Sequence, residues 1–245
     1  LGIIKKEGHP YLAKGVLAGI ITIPIGSFVG GLVAGFDIGM ILANLLPILL
    51  VSILIALGLW RIPAKMIHGF NRFGQGVVIV ITIATAAIIV ETLTGIVVIP
   101  GMAPIWDGIE IVGAIAITLA GAFPMVYVIT KVFKKPLMAA GKLLGMGDVA
   151  AAGMVATLAN NIPMFGMMKD MDHRGKVLNT AFAVSAAFVF GDHLGFTAGV
   201  NREMIFPMVV GKLVGGVTAV ALAMLITPKN EVVPEAVKVE ETKEA

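Results

Sequence analysis

The chain has 245 residues, 58% of them hydrophobic and 13% charged, with a net charge of +3 and a mean hydropathy of +0.99. Ordinary globular domains carry about 25% charged residues, so this composition excludes a water-soluble domain, and the absence of cysteine excludes a disulfide framework or a thiolate metal site. The basic balance does not point to nucleic acid, because the Lys and Arg residues gather between apolar runs, where they report membrane topology.

In chain order, LGII runs straight into KKEGHP and reads as the last turn of an earlier span. The expectation is therefore the C-terminal part of a longer protein, with N-terminal spans missing. Apolar runs follow at 12–35, 39–60, 73–96, 109–130, 148–168, 178–200 and 204–227. A bilayer core roughly 30 Å thick asks for about 20 apolar residues per helix. Spanning strands would alternate in polarity, and these runs do not. The expected fold class is all-α: a polytopic transmembrane helical bundle over 1–227, with about six or seven spans by the length rule. Residues 228–245, PKNEVVPEAVKVEETKEA, are charged, lack an apolar face, and read as a disordered tail.

Segments 5–14, 61–72 and 131–142 hold ten Lys or Arg residues, from Lys5 to Lys142, whereas the turn at Asp37 and the stretch 97–108 hold none. The positive-inside rule puts the first set in the cytoplasm. The run 148–168 contains ANNIPMFG, in which Pro163 lacks an N–H and two asparagines are placed to satisfy freed backbone groups. A broken or re-entrant helix is expected there. If it is re-entrant, the loop KDMDHRGK joins the cytoplasmic side. LANLLP at 42–47 echoes LANNIP at 158–163, as inverted repeats do, but six residues are no more than chance supplies among apolar helices.

Glycines recur at small-xxx-small spacing: Gly15/Gly19, Gly26/Gly30, Gly31/Gly35, Gly141/Gly145, Gly211/Gly215 and Gly191/Gly195/Gly199. Such spacing lets helix backbones approach closely in lipid.

The stretch GDHLG, 191–195, places Asp192 and His193 inside an apolar region. A charge at the centre of a membrane helix costs about 2.5–3.5 kcal/mol on the insertion scale. Two readings stand: buried hydrogen bonds between helices, or the polar wall of a substrate pathway. In a regular helix Ser185, Asp192 and Gly199 share one stripe, and Asn179, His193 and Thr197 a neighbouring one, so unwinding at the flanking glycines is needed to aim both polar groups one way. Asn160 and Asn161 form the second candidate pair, with amides that donate and accept. Asn44 beside Pro47 and Ser185 are secondary candidates. Lys212 reads as a lysine whose stem reaches an interface, and the 14 methionines as adaptable packing. No metal or cofactor motif occurs, and none is expected.

The segment MGDVAAAGMVATLANNIPMFGMMKDMDHRGKVLNTAFAVSAAFVFGDHLGFTAG, 146–199, resembles the ethanolamine-utilisation permease family, the EutH-like proteins, as do 12–35, 135–147 and 205–224. The resemblance implies a multi-pass protein of the bacterial cytoplasmic membrane that imports ethanolamine for catabolism and is not an enzyme. For such a substrate, Asp192 would face the ammonium with Phe190 or Phe196 nearby, Asn160 or Asn161 would meet the hydroxyl, and His193 would relay a proton or tune Asp192. The competing reading is an ion-coupled exchanger or channel for another small cation, using the same groups.

Overall fold

The computed structural model describes residues 9–132 and 134–227; the expected tail and the first residues, 1–8, lie outside the described residues. Among the described residues the regular elements are all helical, with ten α-helices and short 3-10 turns at 168–170 and 202–204. Helices α1 (His9–Val33), α2 (Ile38–Arg61), α3 (Pro63–Thr94) and α4 (Ile105–Val132) are long. Short helices α5 (Lys134–Leu143), α6 (Asp148–Thr157) and α7 (Asn161–Met167) follow, then α8 (His173–Ala186), α9 (Asp192–Val200) and α10 (Ile205–Ile226). The stretches 11–33, 38–61, 68–94 and 202–226 are each long and apolar enough to cross a membrane.

Local chemistry sets the ends. Gly35, at φ +78°, closes α1, and Asp37 caps α2 by accepting from the Gly39 and Met40 N–H groups at 2.8 and 3.2 Å. Pro63 opens α3, and Gly95, at φ +73°, ends it. Helix α2 runs unbroken through Pro47, so LANLLP does not repeat the break found at LANNIP, and the inverted-repeat echo has no structural counterpart.

Helices α1, α8 and α10 form the core, with buried Ala18, Ala181, Ala186, Ala219 and Ala223. The glycine spacing acts here as expected. A Cβ on Gly26 would stand 2.5 Å from the Gly211 carbonyl oxygen, and one on Gly211 2.8 Å from the Gly26 carbonyl, so α1 and α10 cross backbone to backbone. Thr22 adds a hydroxyl bond to the Gly215 carbonyl at 3.2 Å. Gly15 and Gly19 face α8, where a Cβ would meet Thr180 and Val184 at 2.5 and 2.4 Å. Helix α9 packs on α4 through Gly195 and Gly199, against Ile115 and Ala114. Gly35 and Gly145 instead supply left-handed turns. Large apolar side chains on α2, α3 and α4, such as Leu54, Phe73 and Ile117, face outward as a lipid-facing surface requires.

Five contacts gather one end of the bundle. Tyr11 stacks on His173 with centroids 4.8 Å apart. The buried Arg174 donates to the Leu144 carbonyl at 2.9 Å and to the Thr227 carbonyl. The Asp172 carboxylate accepts from the Gly147 and Gly175 N–H groups at 2.8 and 2.9 Å. The starts of α1, α6 and α8 and the end of α10 therefore share the end that carries Lys14, Lys142, Lys169 and Lys176, which the positive-inside rule assigns to the cytoplasm.

Candidate functional site

The run 148–168 is a re-entrant hairpin, the second of the two forms its sequence allows. A Cβ on Gly153 of α6 would stand 3.2 Å from the Cγ of Met164 on α7, whereas eleven residues of continuous helix would separate the two by about 16 Å. Helix α7 thus folds back along α6. Met164, Met168 and Met171 are all buried, and Met164 and Met171 pack against Gly153 of α6. Asp172 joins the hairpin's entry at Gly147 to the start of α8, so the segment enters and leaves at the same end. With ten residues, α6 reaches about 15 Å, or half of a roughly 30 Å hydrocarbon core.

The run 178–200 departs from the continuous helix drawn for it. It is α8 and α9, separated at 187–191, where Phe188 takes φ +60°. The stripes that grouped Ser185 with Asp192 and Asn179 with His193 therefore do not exist. The two interruptions meet: the Phe188 N–H donates to the Thr157 carbonyl at 3.1 Å, and the Phe190 N–H to the Leu158 carbonyl at 2.9 Å. A Cβ on Gly191 would lie 2.0 Å from the Ala159 carbonyl oxygen, so only glycine permits this approach. The broken span repairs the hairpin tip, and backbone groups that lipid would leave unpaired are satisfied.

The four primary candidates flank this junction. Asn160 follows Ala159, and Asp192 follows Gly191. The side-chain oxygen of Asn160 caps α7, accepting from the Ile162 N–H at 2.8 Å, which commits that oxygen to the tip. Asn161 is the first residue of α7 and half-buried. Asp192 and His193 open α9 and are exposed rather than sealed in dry contacts. The His193 ring meets Phe188 edge-on, with centroids 5.6 Å apart.

Asn44 and Ser185 lie elsewhere. They line a cavity of about 480 Å³ between α1, α2, α8 and α10, together with Ser27 and Lys212. Lys212 thus belongs to a cavity wall, a placement its sequence context did not signal. Asn179 is fully buried and donates to the Ala150 and Gly175 carbonyls, each at 2.9 Å, tying α8 to the hairpin. Asp172 was likewise not singled out by the sequence. Asp172→Ala is expected to cost about 1–2 kcal/mol through the lost cap, with the Gly147 bond lost as well. Thermal unfolding in detergent, with limited proteolysis between 143 and 172, checks this.

A bundle with membrane-length helices, a helical hairpin and an interrupted span packed against its tip defines a multi-pass membrane protein. The family model described as "Ethanolamine utilisation protein, EutH" matches residues 1–226, and the chain belongs to that family. It is 70% identical over 224 residues to the "Probable ethanolamine permease EutH" of Listeria monocytogenes, covering 91% of this chain and 60% of the relative. It is 58% identical to the "Uncharacterized protein YxeR" of Bacillus subtilis, covering 93% and 62%. It is 54% identical to the "Probable ethanolamine permease EutH" of Escherichia coli, covering 94% and 62%. The chain thus spans about three-fifths of the length of these curated relatives. No solved structure matches it.

Proposed function

We propose that the chain serves an ethanolamine permease of the bacterial cytoplasmic membrane, and that the junction of hairpin tip and broken span lies on the substrate's path. The observation that carries this reading is the contact between two interrupted helices, with Asn160, Asn161, Asp192 and His193 on either side of it. Interrupted backbone is tolerated in a membrane where it lines a cavity or is buried in protein. The relatives' printed names supply the substrate. Ethanolamine is a cation at neutral pH, and its ammonium calls for a carboxylate, which Asp192 offers. Its hydroxyl calls for a donor or acceptor, and the Asn161 amide offers both, whereas the side-chain oxygen of Asn160 is committed to the cap. Edge contact with Phe188 holds His193 beside the carboxylate's place at the start of α9.

Uptake of labelled ethanolamine into proteoliposomes, at low concentration and mildly acidic pH where the neutral amine is scarce, tests the reading. A charged hydrogen bond contributes about 1.5–3 kcal/mol, so Asp192→Asn is expected to lose about 10- to 100-fold in uptake, and Asn161→Ala less. Wild-type rates in both variants at equal membrane expression would rule out the assigned roles. Excess choline or sodium that competes as well as ethanolamine would favour a path for another small cation.

A further inference from the structure

The cavity of about 480 Å³ between α1, α2, α8 and α10 carries a charge pattern opposite to the junction's. Its one ionisable wall residue among the described residues is Lys212, half-buried on α10. No carboxylate among the described residues lines the cavity. Ser185 closes another wall. It is only 9% exposed, and its hydroxyl oxygen has no hydrogen-bond partner among the described residues. The Ser27 hydroxyl and the Asn44 amide add further donors from α1 and α2. The remaining wall is apolar, with Ile23 and Ile48.

An ammonium at this depth needs a counter-charge, and a buried hydroxyl needs a partner. One cation, two hydroxyls and an amide, without an acid, form a donor set for an anion. A single fixed positive charge matches a monovalent anion. At about 30 Å³ per water, the volume holds a halide with several of its hydrating waters. Side chains of a helix lean toward its N-terminus. In α10 that direction leads away from Thr227 and the cytoplasmic end, toward Met204 and Pro207 on the cavity wall. We infer that this cavity binds a small monovalent anion of halide type, drawn from the non-cytoplasmic side, with Lys212 as its counter-charge and Ser185 as its buried donor. The anion also offsets a fixed positive charge that would otherwise repel an ammonium approaching the neighbouring junction.

Chloride-35 NMR line broadening by the purified full chain in uncharged detergent, with gluconate as balancing salt, tests the inference. Wild type is expected to broaden the line saturably in the millimolar range, with bromide in competition. Lys212→Met is expected to abolish the effect, Lys212→Arg to keep affinity within about threefold, and Ser185→Ala to weaken it three- to tenfold. Absence of saturable broadening in wild type, or full broadening in Lys212→Met, overturns the inference. Should Lys212→Met fail to fold, unchanged affinity in Ser185→Ala does the same. Loss of the chloride signal on adding equimolar phosphatidylglycerol would identify a lipid phosphate as the occupant and overturn the halide assignment. Ethanolamine uptake is measured separately, so the permease reading stands or falls on its own.

Discussion

Under the proposed permease function, Gly191→Ala is expected to abolish ethanolamine uptake at unchanged membrane expression. The added methyl carbon would sit 2.0 Å from the carbonyl oxygen of Ala159 and 3.1 Å from its carbonyl carbon. Both are backbone atoms at a hairpin tip, so no side-chain rotation relieves the clash. The tip must withdraw, and the Phe188–Thr157 and Phe190–Leu158 bonds lengthen or break. Each bond contributes about 1 kcal/mol net, while each backbone group left unpaired in hydrocarbon costs several. The expected result is loss of transport together with a lower unfolding midpoint. The chain has no cysteine, so Asn161→Cys gives a clean labelling site: a water-soluble maleimide should react with it at a changed rate in the Gly191→Ala background. Gly166→Ala is the control, because a Cβ there meets nothing within 4 Å. Wild-type uptake in Gly191→Ala would show that the two interruptions need not touch for transport.

Gly26→Leu should be the most damaging single change to the bundle itself. The space at Gly26 is filled by the Gly211 carbonyl oxygen at 2.5 Å and the Gly215 Cα at 3.0 Å, so α1 and α10 must separate to admit any side chain. In lipid the attraction between these helices is close packing rather than exclusion of water, and separation removes it over the whole crossing. Thr22 would lose its bond to the Gly215 carbonyl as well. Overpacking of a filled core costs typically about 1–3 kcal/mol, and a leucine against two backbones belongs at or above the upper limit. Thermal unfolding in detergent measures it, with Gly113→Leu on α4, which meets nothing within 4 Å, expected near wild type. Equal midpoints for the two variants would remove the crossing from the account of stability.

Much of this was legible because lipid imposes simple rules. Hydropathy located α1, α2, α3, α4 and α10 to within a few residues, except that α3 starts ten residues earlier than its apolar run, at Pro63. Glycine spacing located the α1–α10 crossing. The hairpin was readable from Pro163 and the paired asparagines, which mark a helix interruption in any apolar run. The break at 187–191 carried no such mark. AFAVSAAFVF has neither proline nor a strongly polar residue before Gly191, and the turn depends on Phe188 adopting a left-handed backbone that tertiary contacts with Thr157 and Leu158 sustain. The roles of Arg174 and Asn179 were equally hidden, since each bonds to carbonyls roughly thirty residues away or more, at Leu144, Thr227 and Ala150. Lys212 looked like a lysine reaching for headgroups because its cavity is assembled from four helices, three of them remote in sequence.

The hairpin constrains the order in which the protein matures. Helix α6 is too short to cross the bilayer, and the Thr157 and Leu158 carbonyls at its tip accept from the N–H groups of Phe188 and Phe190, after the whole of α8. Its anchor at the base, Asp172, also follows it in the chain. The packed form of the hairpin therefore needs partners that are made after it, and its final seating cannot precede the synthesis of α8 and the turn at 187–191.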